Sequence, residues 1–274
     1  MPPLFCDTDL AGRIERAETK FITAGVEAAQ RRTGGAGFRL PLAGGVAGYA
    51  EPGSPWNKVA GLGFAGVPAD DELAAVERAY RAHGAEVSVE LSNLAEPAVG
   101  ELLTGRGYRL ASYENVLGLP LGGAVEAVAP PGVEVRPSDP DEFGTWLAIV
   151  LEAVAVPDTE GLPWLEDFPR DILENAERDL LAAGARHYLA LVDGAPAGAA
   201  SMAVEDGFAQ FSAATAPKFR RRGVQSALLA ARVADATAAG CELALVTVQP
   251  GSRSQRNVQG RGFDLLYTRA TLVR

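Results

Sequence analysis

The chain has 274 residues, 47% hydrophobic and 22% charged, a globular composition with room for two domains that each bury a core. Its formal net charge of −10 argues against nucleic acid as a partner and mildly favours cationic ligands through steering. No apolar run reaches the length of a membrane span, the N-terminus lacks the basic and apolar regions of a secretion signal, and Cys6 and Cys241 imply no disulfide framework, so a cytoplasmic protein with no membrane partner is expected.

In chain order, residues 9–29 read as one or two opening helices and 38–49 as a glycine-rich strand pattern. A strand is expected over 57–65, a helix over 71–83, a strand over 85–91 and a helix over 96–103, ahead of Gly105-Arg106-Gly107-Tyr108. Residues 119–132, rich in Gly, Pro and Ala and without periodicity, hold the boundary, giving domains over 1–124 and 133–274 with a linker over 125–132. The first helix of the second half carries Trp146 and Glu152, and Asp158, Glu160, Trp164, Glu166, Asp167 and Phe168 follow it. Apolar runs at 187–192, 198–204 and 208–214, punctuated by Asp193-Gly194 and Glu205-Asp206-Gly207, predict three antiparallel strands joined by hairpins. A helix over 224–239, stopped by Gly240, leads to a strand over 242–248 that runs parallel to the third through a right-handed crossover. Gly260-Arg261-Gly262-Phe263 then precedes a last strand over 265–273. That tetrapeptide matches Gly105-Arg106-Gly107-Tyr108, and the same succession of elements leads up to both, so two copies of one fold are inferred.

The segment Thr215-Ala-Pro-Lys-Phe-Arg-Arg-Arg-Gly223 is the strongest chemical signal. It joins a strand to a helix N-terminus, where unpaired N–H groups and the positive end of the helix dipole make an anion site suited to a phosphate or pyrophosphate. Gly223 removes a Cβ where backbone approaches a ligand, and Arg220, Arg221 and Arg222 add charge; a solvated basic surface is the plain alternative. At the equivalent place the first half has Asp70, Asp71 and Glu72, which complement the dipole themselves and repel a pyrophosphate.

The order of elements and the Arg220, Gly223, Gln225 spacing resemble the GNAT family of acyl-CoA-dependent N-acyltransferases over residues 133–274. Gln225 stands where the family usually has Gly or Ala, and Gly262-Phe263 is a second, weaker match. The resemblance implies an α/β (α+β) fold of two GNAT-like domains, each a mixed, mostly antiparallel sheet flanked by helices, the first a degenerate copy without the CoA loop. It implies acetyl-CoA as co-substrate, its pyrophosphate on Arg220, Arg221, Arg222, Gly223, Val224, Gln225 and Ser226 and its pantetheine between two splayed parallel strands beside Ala213, Ala214 and Thr215. A backbone N–H there would hold the oxyanion of a tetrahedral intermediate formed by direct attack of the acceptor amine.

Acid and base are less legible. Many relatives place a tyrosine five positions before the Phe, and Val258 occupies that position here, while Tyr267 on the last strand reads as packing. Asn257 and Ser254, with Ser252, flank a helix start and either contact the thiol side of the cofactor or cap the helix. Glu152 is the first of several carboxylates that could serve as base, directly or through water. Trp146, Trp164 and Phe168 form a candidate acceptor wall suited to a small amine with an apolar body, with core packing as the alternative. His83 and His187, far apart, support neither a metal site nor a Ser-His-Asp arrangement. The function read is acetyl transfer to a small-molecule amine, with a homodimer compatible; a non-catalytic acyl-CoA sensor or scaffold and a protein lysine or N-terminal acetyltransferase are the rivals.

Overall fold

A computed structural model describes residues 3–122, 130–157 and 168–274. The first helix, α1 (Thr8–Thr33), is a single one: the Asp7 carboxylate accepts from the Leu10 amide at 2.8 Å, and Ala11, Ile14, Ala17, Ile22, Val26 and Ala29 make one buried stripe at helical spacing. Strands β1 (Phe38–Leu42) and β2 (Gly45–Tyr49) form a hairpin. After β3 (Lys58–Ala60), shorter than the 57–65 run predicted, come α2 (Asp70–Ala82), β4 (Ser88–Ser92), α3 (Pro97–Gly105) and β5 (Arg109–Pro120).

The second half supplies β6 (Val133–Pro137), α4 (Phe143–Ala155), α5 (Arg170–Ala182), β7 (Arg186–Val192), β8 (Ala195–Glu205) and β9 (Phe208–Thr215). It closes with α6 (Val224–Ala238), β10 (Leu243–Val248), α7 (Arg253–Gln259) and β11 (Asp264–Val273). The three hairpin-linked strands and the parallel pairing of β9 with β10 follow the sequence expectation. Helix α5 is announced by no motif.

Two compact units emerge, and they interleave along the chain instead of dividing it near 125–132. The first draws on residues up to Val116, on α5 and on Leu265–Arg274; the second draws on Leu117 through α4 and on Gly184–Asp264. In the first, strands follow the order β1-β2-β3-β4-β11-β5, with β3 parallel to β4 and β11 antiparallel to β4 from Arg269↔Ser92 to Val273↔Ser88. In the second, the end of β5 leads the order β5-β10-β9-β8-β7-β6, and the Leu121 amide donates to the Glu242 carbonyl at 2.9 Å. The last strand of the sequence thus completes the first unit. Ladder hydrogen bonds carry no memory of sequence position, so a strand closes whichever edge its side chains fit.

Buried charge fixes β11 in that place. Arg269 lies 2.7 Å from Glu15 of α1 and 3.7 Å from Glu90 of β4, Lys58 of β3 lies 2.5 Å from Glu90, and the Tyr267 hydroxyl donates to Glu15 at 2.7 Å. Removing one partner of such a pair leaves a buried charge uncompensated, at a cost of about 3–5 kcal/mol. The apolar core of the first unit, including Leu42, Tyr49, Val59, Leu73, Tyr80, Val89 and Leu103, surrounds β1 to β4.

Candidate active site

The loop from β9 to α6 lies in the second unit. Two of its residues take left-handed backbone, Arg221 at φ 65° and Gly223 at φ 80°. Glycine is needed at 223 for a second reason, since a Cβ there would lie 2.6 Å from the ring of Pro130. Helix α6 begins with no side-chain cap and no acidic residue in its first turn. Its first main-chain bond runs from the Ala227 amide to the Gly223 carbonyl at 3.0 Å, which leaves the amides of Val224, Gln225 and Ser226 without a partner among the described residues. Val224, Ala227 and Leu228 are buried, and Gly198 of β8 permits that seating, because a Cβ there would lie 2.4 Å from Val224.

The strand pair beside this helix splays. β9 and β10 stay in register only from Phe208↔Leu243 to Gln210↔Leu245. Beyond that point Ser212 and Ala213 are exposed on β9, Ala214 and Thr215 are half-buried, and Thr247 is exposed on β10. An unpaired strand edge of this kind accepts an extended amide-bearing ligand as an added strand. Arg232, unremarked in the sequence, ties α6 to β8 and to the part of β9 beyond that point. It is 2% exposed, donates to the carbonyls of Leu228 at 3.0 Å, Ser201 at 3.1 Å and Ser212 at 2.7 Å, and stands 4.8 Å over the Phe211 ring. Burial lowers its pKa to about 9. Its place eight residues after Val224, on the apolar face of α6, was the available signal.

The three loop arginines have different fates. The Arg220 guanidinium turns to the end of α4, donating to the carbonyls of Ala153, at 3.3 Å, and of Val156. Arg222 pairs with Asp193 at 3.1 Å, both exposed, a contact worth about 0–1 kcal/mol. Arg221 is exposed and has no partner among the described residues. Gln225 is bonded by Asn257 of α7, whose amide nitrogen donates to its side-chain oxygen. The sequence offered no cue to that pairing, which joins two positions 32 residues apart.

Capping of α7 falls to Ser252, which accepts from the Gln255 amide at 3.2 Å, so neither Asn257 nor Ser254 is the cap. Ser254 is half-buried in the first turn of α7, and Glu152 is exposed in the last turn of α4. Trp146 departs from the wall expected of it. It is 1% exposed, its indole N–H donates to the Ala200 carbonyl at 3.0 Å, and its ring stacks on His187 with centroids 4.0 Å apart. The α4 periodicity puts it inward with Phe143, Leu147 and Val150, so it is core. Burial drives His187 to a pKa of about 4 and keeps it neutral. Phe168 is half-buried in the first unit, while Asp158, Glu160, Trp164, Glu166 and Asp167 lie outside the described residues. Val258, at the tyrosine position, is 2% exposed, and Tyr267 is engaged in the first unit.

Comparison with known proteins bears on this geometry. The family model described as "Acetyltransferase (GNAT) family" matches residues 152–263, which span the splayed strands, the loop, α6 and α7. No curated protein matches. Among solved structures, a GCN5-related N-acetyltransferase from Kribbella flavida is 20% identical with a TM-score of 0.67, the match covering 96% of this chain and 95% of that one. A tandem GNAT protein from the clavulanic acid biosynthesis pathway is 15% identical with a TM-score of 0.56, covering 83% and 73%. A GCN5-related N-acetyltransferase from Sphaerobacter thermophilus is 18% identical with a TM-score of 0.53, covering 74% and 65%. At these identities the structural likeness speaks to fold, and the family match speaks to the loop and the strands around it. Residues 152–263 are therefore the part of the chain that matches the GNAT acetyltransferase family.

Proposed function

We propose that the half over 133–274 transfers an acetyl group from acetyl-CoA to the amine of a small molecule. The observation that carries this reading is the uncapped first turn of α6 beside a strand pair that loses register after Gln210 and Leu245. The amides of Val224, Gln225 and Ser226 would receive the pyrophosphate, with the exposed Arg221 adding charge. The open edge of β9 at Ala213, Ala214 and Thr215 would take the pantetheine amides and place a main-chain donor at the thioester carbonyl. The acceptor amine then needs positioning and loss of a proton, for which the exposed Glu152 is within the same unit.

A second reading, an acyl-CoA sensor or scaffold without turnover, is favoured by one observation. Val258 is buried where many relatives hold an acid, and the Tyr267 hydroxyl is committed to Glu15. Calorimetric titration with acetyl-CoA, followed by thiol release against a panel of small amines, amino acids and lysine peptides, separates these readings. Binding with turnover on a small amine supports the enzyme proposed. Turnover on peptides alone moves the acceptor to protein, binding without release across the panel supports the sensor, and no binding overturns both.

A further inference from the structure

The geometry points to Arg220 as a positioning residue that ties the phosphate-binding loop to the C-terminal end of α4, so that a ligand on the loop is felt at α4. This rests on the reading that acetyl-CoA binds at α6.

The last carbonyls of any helix lack intrahelical partners and carry the negative end of its dipole. Helix α4 has no basic residue in its last turn to answer them. Arg220, from a loop 64 residues further along the chain than Val156, supplies that cation, with one guanidinium nitrogen donating to both Ala153 and Val156. Its charge is therefore committed to α4, and the contact spans two elements that face different parts of one reaction. The loop holds the expected phosphate site, and α4 carries Glu152 next to the bonded Ala153. The main chain that follows Arg220, with left-handed residues at 221 and 223, leads straight to the free amides of α6. Phosphate oxygens gathering those amides would fix the loop backbone, and a fixed Arg220 would hold the α4 carbonyls in place.

The test is backbone amide hydrogen exchange on the full chain with and without saturating acetyl-CoA, for the wild type, R220M and R220K, with affinities by calorimetry. In the wild type, acetyl-CoA should slow exchange at residues 153–156 by about fivefold or more, together with residues 224–226. R220M should bind acetyl-CoA within about threefold of wild type and keep the slowing at 224–226, yet lose it at 153–156. R220K, whose ammonium can donate to the same carbonyls, should restore part of it and guards against misfolding of the methionine variant. Ligand-induced slowing at 153–156 that persists in R220M overturns the tie. Loss of about tenfold or more in affinity in both variants makes Arg220 a phosphate ligand instead. Failure of the wild type to bind acetyl-CoA overturns the cofactor reading itself, a result distinct from binding without slowing at α4, which overturns the tie alone.

Discussion

Helices α2 and α6 each follow one strand of a parallel pair and lead to the other, β3 to β4 and β9 to β10, yet their first turns are chemical opposites. The first turn of α2 carries Asp70, Asp71 and Glu72, and these acids consume the donors around them: Glu72 accepts from the Ala69 amide at 2.9 Å, and Asp71 from the Glu72 amide at 3.1 Å. Arg106 answers the acids in turn, 3.1 Å from Asp70 and 2.8 Å from Glu77. The first turn of α6 has no acid and no side-chain cap, and its first three amides have no partner among the described residues. One architecture therefore yields a self-satisfied helix start in one case and an anion seat in the other, and three or four side chains make the difference.

The largest expected effect is at Gly223. G223E should lower acetyl-CoA affinity by at least about 100-fold, because a carboxylate at the helix start repels phosphate. It should also lower thermal stability, since φ 80° and the Pro130 ring leave no room for a side chain, by about 1–3 kcal/mol. Calorimetry and a melting curve separate the two losses. A G223E protein that binds normally would break the comparison with α2.

Binding stoichiometry sharpens the comparison next. One acetyl-CoA per chain is expected, and two would mean that the acid-capped α2 start is no barrier. Placing an acid in the first turn of α6, as α2 has, makes a milder version of the first test. Q225E should cost about 10-fold in acetyl-CoA affinity while leaving the melting temperature equal or slightly raised, because an acid near a helix N-terminus adds about 0.3–1 kcal/mol. R221A should weaken binding by about two- to fivefold and flatten its salt dependence, as expected of one exposed cation near a phosphate. The smallest effect is at α2 itself, where E72Q should cost about 0.5–1 kcal/mol in stability and confer no acetyl-CoA binding.

Much of this was present in the sequence by itself. Helix and strand periodicity located strands β7 to β11 and helix α6 to within a few residues, because hairpin turns such as Asp193-Gly194 and the stop at Gly240 are local signals. The contrast between Arg220-Arg221-Arg222-Gly223 and Asp70-Asp71-Glu72 was likewise legible, since dipole complementarity depends on residues adjacent in the chain. Tertiary structure alone decided which groups those charges meet. It turned Arg220 away to the end of α4, put Trp146 into the core against His187, buried Arg232 under the splay, and paired Asn257 with Gln225. It also gave β11 to the first unit, where Tyr267 and Arg269 meet Glu15. Each of these contacts joins residues far apart in sequence, and a side chain's partner across such a distance is set by packing and by backbone ladders that local pattern does not encode.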